Sequence, residues 1–252
     1  MILHDEELIF GGIEYERRLI SFFDTLGWRS HIAEAGSNPK RIARLASVPR
    51  MFSTVFKGFG ERVPGAFISS FSDNVAVSVP FKPEYVEWTL KGMATIQMGL
   101  ALQGFYVRGA ITIGDLYHDD DVIFGPALNA AYELESRQAR YPRVLLDRDV
   151  DFEVSLDRNW IDVDETHTFL DPFSAAFLDD VQANQPFDPV ALQRYITATK
   201  ARAVTTPVIL PGRLMLGHLH HRMQRELAEA SDAKVVERLS WLAERISKRV
   251  VL

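Results

Sequence analysis

The sequence predicts an α+β fold with a helical C-terminal extension. Short runs that are continuously apolar or apolar at every second residue alternate with longer runs of helical spacing. In order these read β-α-α-β-β-α-β-β-α-β up to residue 147, the pattern of a layered sheet-and-helix unit. Beyond about residue 150 the apolar residues fall mainly at helical spacing. Residues 1–150 are therefore read as a core unit, and 151–252 as a mainly helical extension packed on it.

Each element has a local reason. From Glu14 to Asp24 the chain turns from charged to continuously apolar (Leu19, Ile20, Phe22, Phe23), as a central buried strand does. Residues 28–60 read as helical with a break at Gly36-Ser37-Asn38-Pro39, where Ser37 or Asn38 caps the helix that Pro39 opens. Ala66 to Pro80 reads as a hairpin, with Ser72-Asp73-Asn74 as the turn and Val75, Val77 and Val79 at period two. Pro83 opens a helix that Gly104 ends. Phe105 to Gly114 is a strand, followed by an acidic turn, His118-Asp119-Asp120-Asp121. Val122 to Phe124 is a short strand before a helix from Pro126 to Gln138, and Val144-Leu145-Leu146 is another strand. Thr166 to Leu170 adds a further strand. Helices are expected over Pro189–Arg202, Arg213–Ala230 and Ala233–Arg249, packed on the sheet or forming a dimer contact.

Composition narrows the function. A net charge of -6 argues against a protein that coats nucleic acid, yet leaves room for a small anionic substrate met by metal charge. The absence of cysteine excludes disulfides, thiolate chemistry and Cys-ligated metal centres. The acidic N-terminus lacks the basic start and apolar run of a signal peptide, and no apolar stretch is long enough for a membrane helix. A soluble, cytoplasmic protein without a membrane partner is expected.

Two segments carry the chemistry. Leu19-Ile-Ser-Phe-Phe-Asp24 and Phe67-Ile-Ser-Ser-Phe-Ser-Asp73 each deliver one aspartate at the end of an apolar strand. Carboxylates at a sheet edge, near backbone carbonyls, suit hard divalent cations, and two can hold two Mg²⁺ or Mn²⁺ ions.

Phe22-Phe23-Asp24-Thr25-Leu26-Gly27, then Asp73 49 residues after Asp24, then Arg108-Gly-Ala-Ile111-Thr-Ile-Gly114, then Gly125-Pro-Ala-Leu128-Asn129-Ala-Ala131 stand in this order. Together they resemble the class III nucleotidyl cyclase catalytic domain, over about residues 15 to 147. The inner glycine of the third segment is displaced relative to the family pattern. The resemblance implies a class III cyclase-like βααββαβ ferredoxin-like core sheet. It also implies that Asp24, Asp73 and the backbone carbonyl of Thr25 bind two Mn²⁺ or Mg²⁺ ions. Arg108 would grip the β- and γ-phosphates, where a guanidinium fork suits the geometry, and Asn129 would orient the ribose.

The departures bear on the substrate. Where adenylate-specific members carry a lysine four residues before the second aspartate, this chain has Ser69. Where they carry an aspartate seven before the asparagine, it has Val122. Neither purine code is present. The transition-state arginine expected four residues after Asn129 is Glu133, and Arg137 lies one turn further along the helix. Such a chain resembles the pyrimidine cyclases of bacterial anti-phage signalling. That likeness implies conversion of UTP, ahead of CTP, to the 3′,5′-cyclic monophosphate and pyrophosphate. It further implies a homodimer with composite sites, Asp24, Asp73 and Arg108 from one chain and Ser69, Val122 and Asn129 from the other. A separate cyclic-nucleotide-responsive effector would read the product. The alternatives are a cyclase-like nucleotide-binding or sensor module and a purine cyclase with atypical recognition residues.

Plainer readings stand beside these. Asp24 can cap the following helix. Asp73-Asn74 can be a hairpin turn pair. Arg108 can pair with an acid, and Asn129 can be a polar residue at a helix start. Asp119-Asp120-Asp121 reads as a solvated turn. His218, His220 and His221 lack an acid at zincin spacing, and Gly58-Phe-Gly60 lacks the Lys-Ser/Thr of a phosphate loop. Trp28, Trp88, Trp160 and Trp241 read as core or interface aromatics.

Overall fold

In the computed structural model, residues 13–59, 63–183 and 212–250 are described. Strand β1 (Glu16–Thr25) lies at the centre of an eight-stranded mixed sheet because its apolar run is buried on both faces. It pairs antiparallel with β3 (Asn74–Pro80) on one side and β4 (Val107–His118) on the other. A hairpin joins β2 (Phe67–Phe71) to β3, with Ser72 in the left-handed region at φ 57°. The sheet order opens β2-β3-β1-β4, all antiparallel, which is the ferredoxin-like arrangement the sequence predicts.

Helices α1 (Trp28–Ala35) and α2 (Pro39–Phe59) follow β1. The break between them is capped by Asn38, whose side chain accepts from the backbone N–H groups of Lys40 (3.0 Å) and Arg41 (3.3 Å). Helix α3 (Pro83–Leu102) opens on a proline, as expected, and Gly104 at φ 80° follows its end. Val48, Phe52 and Val55 of α2, with Leu90 and Met93 of α3, bury one face of the sheet through Leu19, Phe23, Val77 and Ile111.

Over the β1 part of the opposite face lies α4 (Pro126–Gln138). Its Ala127 and Ala131 pack on Ile20 and Leu116. Two glycines of the chain allow close approach between elements. A Cβ at Gly109 would lie 2.6 Å from the Phe22 carbonyl oxygen. At Gly125, with φ 142°, it would lie 2.8 Å from the carbonyl oxygen of Asp115. Gly109 is the displaced glycine of the arginine strand, so the displacement keeps the tight contact of β4 on β1.

Strand β4 corrects one expectation. It runs to His118 rather than stopping at Gly114, and His118 pairs with Ile123 of β5 (Ile123–Phe124). His118 is 5% exposed and belongs to the strand, not to the acidic turn. The turn itself is as expected. Asp119 Oδ1 accepts from the backbone N–H of Asp121 and Val122, both at 2.8 Å, and Asp120 and Asp121 are solvated.

Strand β6 (Val144–Leu146) pairs parallel to β4, as the α4 crossover requires. Beyond residue 150 the sheet continues through β8 (Thr168–Leu170) to β7 (Ile161–Val163), a strand the sequence pattern did not reveal because it is three residues long and half-exposed. Helix α5 (Ala175–Ala183) was likewise not foreseen. The helix expected over Pro189–Arg202 lies outside the described residues, as does Gly60. Helices α6 (Gly212–Glu229) and α7 (Ala233–Val250) fall where predicted and pack on the core through Leu216, Leu219, Leu242 and Ile246 against Met98, Leu102 and Phe173. Buried Asp171 anchors this layer, accepting from Arg245 and Arg249, each at 2.5 Å.

Candidate active site

The antiparallel register sets the site. Asp24 stands opposite Asn74 on β3 and opposite Arg108 on β4, so all three lie on the sheet face that α4 covers only in part. Asp73 is tied to the end of β1 by the Thr25 N–H, which donates to its carbonyl oxygen at 3.0 Å. The start of α1 carries no side-chain cap, so Asp24 does not serve there. Its Oδ2 accepts instead from Arg108 Nε at 2.7 Å.

A third carboxylate joins this patch, which sequence reasoning missed. Glu135 of α4 is 2% exposed, and its Oε1 lies 2.6 Å from the same Arg108 Nε without the alignment of a hydrogen bond. Burial first, then the fields of Asp24 and Asp73, push its carboxyl up to about 7, against the pull of Arg108 and Arg238. A signal was available: Ala127, Ala131 and Glu135 form one stripe at spacing four, so a charge sits on the apolar face of α4.

The donor set fits divalent cations. Asp24 and Glu135 both lie against Arg108, Asp73 stands at the adjoining turn, and one buried carboxylate oxygen has no hydrogen-bond partner. All donors are hard oxygens, as Mg²⁺ and Mn²⁺ prefer. Among the described residues no group of three or more His, Cys, Asp or Glu side chains is placed to hold a metal ion, His218, His220 and His221 included, so two aspartates are the carboxylate set on offer.

A second patch lies on the same face. The last turn of β4 folds back over β3 and β2. Thr112 is the residue of β4 in the same row as Ser78, through Ile20, yet His118, six residues further on, reaches Ser78. His118 Nδ1 is 2.8 Å from Ser78 Oγ, and its Nε2 is 2.9 Å from Ser69 Oγ. Arg18, 2% exposed, donates from Nε to Ser78 Oγ at 2.9 Å. Burial, and then the charge of Arg18, lower the His118 pKa to about 4. Val122 adjoins this patch, since its carbonyl accepts from the Asp119 N–H and its neighbour Ile123 pairs with His118.

The predicted residues thus fall into two groups within one chain. Asp24, Thr25, Asp73 and Arg108 come together at one patch; Ser69 and Val122 gather around His118 at the other. Asn129 is exposed on the first turns of α4. Arg137 is exposed as well and pairs with Glu133 at 3.4 Å. Phe71, Tyr15, Val122, Phe124 and Tyr132 leave large apolar side chains open to solvent around these groups.

No family model matches the sequence. No curated protein matches it either. Solved structures do resemble it. A bacterial light-regulated adenylyl cyclase is 15% identical over 74% of this chain and 100% of its own, with a TM-score of 0.43. The adenylyl cyclase CyaB from P. aeruginosa is 15% identical over 63% of this chain and 95% of its own, at 0.44. The guanylyl cyclase domain of the RhoGC fusion protein from the fungus Blastocladiella emersonii is 15% identical over 62% of this chain and 94% of its own, at 0.46. Likenesses this distant carry no weight for the activity of this chain. Among the described residues no helix is long and apolar enough to cross a membrane.

Proposed function

We propose that this protein is a metal-dependent nucleotide cyclase that converts UTP, ahead of CTP, to the 3′,5′-cyclic monophosphate and pyrophosphate. The observation that carries this reading is the juxtaposition of Asp24 and Arg108 on one sheet face with Asp73 at the adjoining turn, tied by the Thr25–Asp73 backbone bond. Two Mg²⁺ or Mn²⁺ ions held by Asp24, Asp73 and the Thr25 carbonyl would supply the charge that acidifies the ribose 3′-hydroxyl and neutralises the departing pyrophosphate. Arg108, which offsets Asp24 and Glu135 in the chain alone, turns its remaining N–H donors to the β- and γ-phosphates. Asn129 orients the ribose. Ser69 and Val122, neither suited to the purine code, line the base pocket. Arg137 is the nearest exposed cation on α4 that can take the place of the arginine replaced by Glu133.

Asp24, Asp73 and Arg108 act from one copy, and Ser69, Val122 and Asn129 from a second. Exposed Phe71, Val122, Phe124 and Tyr132 around these residues support such a homodimer. Residues 1–150 carry the catalytic residues in this reading, and 151–252 extend the same sheet and add helices packed on it. The likeness of the two aspartate strands to anti-phage cyclases supports a cytoplasmic second-messenger synthase with a separate effector.

Incubation with Mn²⁺ and equal ATP, GTP, CTP and UTP, with products resolved by mass spectrometry, tests this reading. A single cyclic pyrimidine monophosphate is expected. A cyclic purine keeps the metal site and overturns the base assignment. Glu133, ion-paired where an arginine is expected, favours a second reading, a nucleotide-binding module. Tight triphosphate binding without turnover would establish it.

A further inference from the structure

The second patch contains a hydrogen-bond chain whose direction is set from one end. The buried Arg18 Nε–H can only donate, so Ser78 Oγ is its acceptor. Ser78 is fully buried, and the one acceptor for its hydroxyl hydrogen among the described residues is His118 Nδ1 at 2.8 Å. A buried hydroxyl left without an acceptor is costly, so Ser78 donates to Nδ1. A neutral imidazole carries one proton; with Nδ1 accepting, Nε2 bears it. Nε2–H therefore donates to Ser69 Oγ at 2.9 Å. Ser69 is half-buried, and its own hydroxyl hydrogen has no acceptor among the described residues.

We propose that the Arg18–Ser78–His118 chain fixes Ser69 as a hydrogen-bond donor at the base pocket, so that the site selects a ring carbonyl, as at C4 of uracil, over a ring amino group, as at C4 of cytosine. The proposal rests on the reading of Ser69 as a base contact. A serine alone donates or accepts with equal ease, so residue identity cannot make this choice. The buried chain behind Ser69 can. An amino group would have to use the one Oγ lone pair that His118 leaves, and would leave the Ser69 hydroxyl hydrogen without an acceptor. A polar site rejects such a partner by about tenfold or more. The lowered His118 pKa agrees with this, because a charged imidazole would donate from both nitrogens and force Ser78 to turn away. Ser78 and His118 are positioning residues here, acting through Ser69.

Two measurements test the chain. The first is the tautomer of His118, read by ¹⁵N NMR of histidine-labelled protein at neutral pH and assigned by difference against His118→Gln. A proton on Nε2 is expected; a proton on Nδ1 overturns the proposal and leaves the cyclase reading intact. The second is the ratio of UTP to CTP affinity, by calorimetry with Mn²⁺, in the wild type, Ser78→Ala and Ser78→Thr. The wild type should favour UTP by about tenfold or more. Ser78→Ala frees the tautomer, and the ratio should fall towards one. Ser78→Thr keeps the hydroxyl and should keep the ratio. A wild-type preference for CTP, or a ratio that Ser78→Ala leaves unmoved, overturns the proposal. Binding without turnover removes the cyclase reading while the ratio still reports on Ser69. Failure to bind either triphosphate removes the base-contact reading and the proposal with it.

Discussion

The acidic patch and the hydroxyl–imidazole patch share one sheet face and are built in opposite ways. At the first, Asp24 and Glu135 crowd against Arg108, whose single Nε lies 2.7 Å from one carboxylate and 2.6 Å from the other. Charge compensation there is incomplete and its partners are interchangeable. At the second, Arg18, Ser78, His118 and Ser69 each have an assigned neighbour, and one hydroxyl hydrogen remains to give. Under the proposed function, the place that would admit cations is left electrostatically unsatisfied, and the place that would discriminate neutral groups is satisfied up to its last donor.

The largest expected effect breaks the first patch. Asp73→Ala should lower triphosphate turnover with Mn²⁺ about a thousandfold or more, since the charge that bound metals would supply in the proposed reaction is worth several kcal/mol. Its melting temperature should stay close to that of the wild type, because Asp73 sits on a half-exposed turn. Pyrophosphate release at the wild-type rate would remove the assignment.

Arg108→Met leaves Asp24 and Glu135 without their shared cation. Loss of one partner in a largely buried pair costs about 3 kcal/mol, and chemical denaturation should show this at pH 8. The loss should shrink at pH 5, where Glu135 holds its proton. The Glu135 carboxyl is raised from 4.5 to about 7, so its contribution is fully present below pH 4.5 and is lost as pH rises through 7. Glu135→Gln should therefore gain on the wild type across that window by on the order of 2–3 kcal/mol. A pH-independent difference would place the carboxyl elsewhere.

The second patch should respond to acid instead. The His118 pKa is depressed from 6.5 to about 4, so the neutral ring favours the fold above pH 6.5 and that contribution is lost as pH falls to 4. Denaturation midpoints of His118→Gln should vary less across this window, by on the order of 2 kcal/mol. Equal slopes in both proteins would show that His118 does not titrate as its surroundings dictate. The smallest effect is expected at neither patch. Arg137→Ala removes an exposed pair with Glu133 and should change stability by less than about 0.5 kcal/mol, read from the same denaturation curves.

Much of the frame was legible without coordinates, because it rests on local rules. The apolar run ending at Asp24, the period-two valines after Asp73, and the prolines opening α2, α3 and α4 each act within a few residues. They placed β1, the β2–β3 hairpin and the three helices those prolines open close to where they stand. They also placed Asp24 and Asp73 at strand ends and Arg108 within a strand. What pattern could not supply was the partnership between distant segments. Glu135 reaches Arg108 because α4 lies across the sheet. His118 reaches Ser69, 49 residues earlier, because β4 outruns β1 and curls over β3. Strand β7 is too short to show a period and exists through its pairing with β8. Periodicity and capping are properties of neighbouring residues, so the sequence by itself determined the elements and the residues at their ends. Proton order along a buried chain, and the raised carboxyl of Glu135, depend on which groups are excluded from water together, and only the tertiary structure decided that.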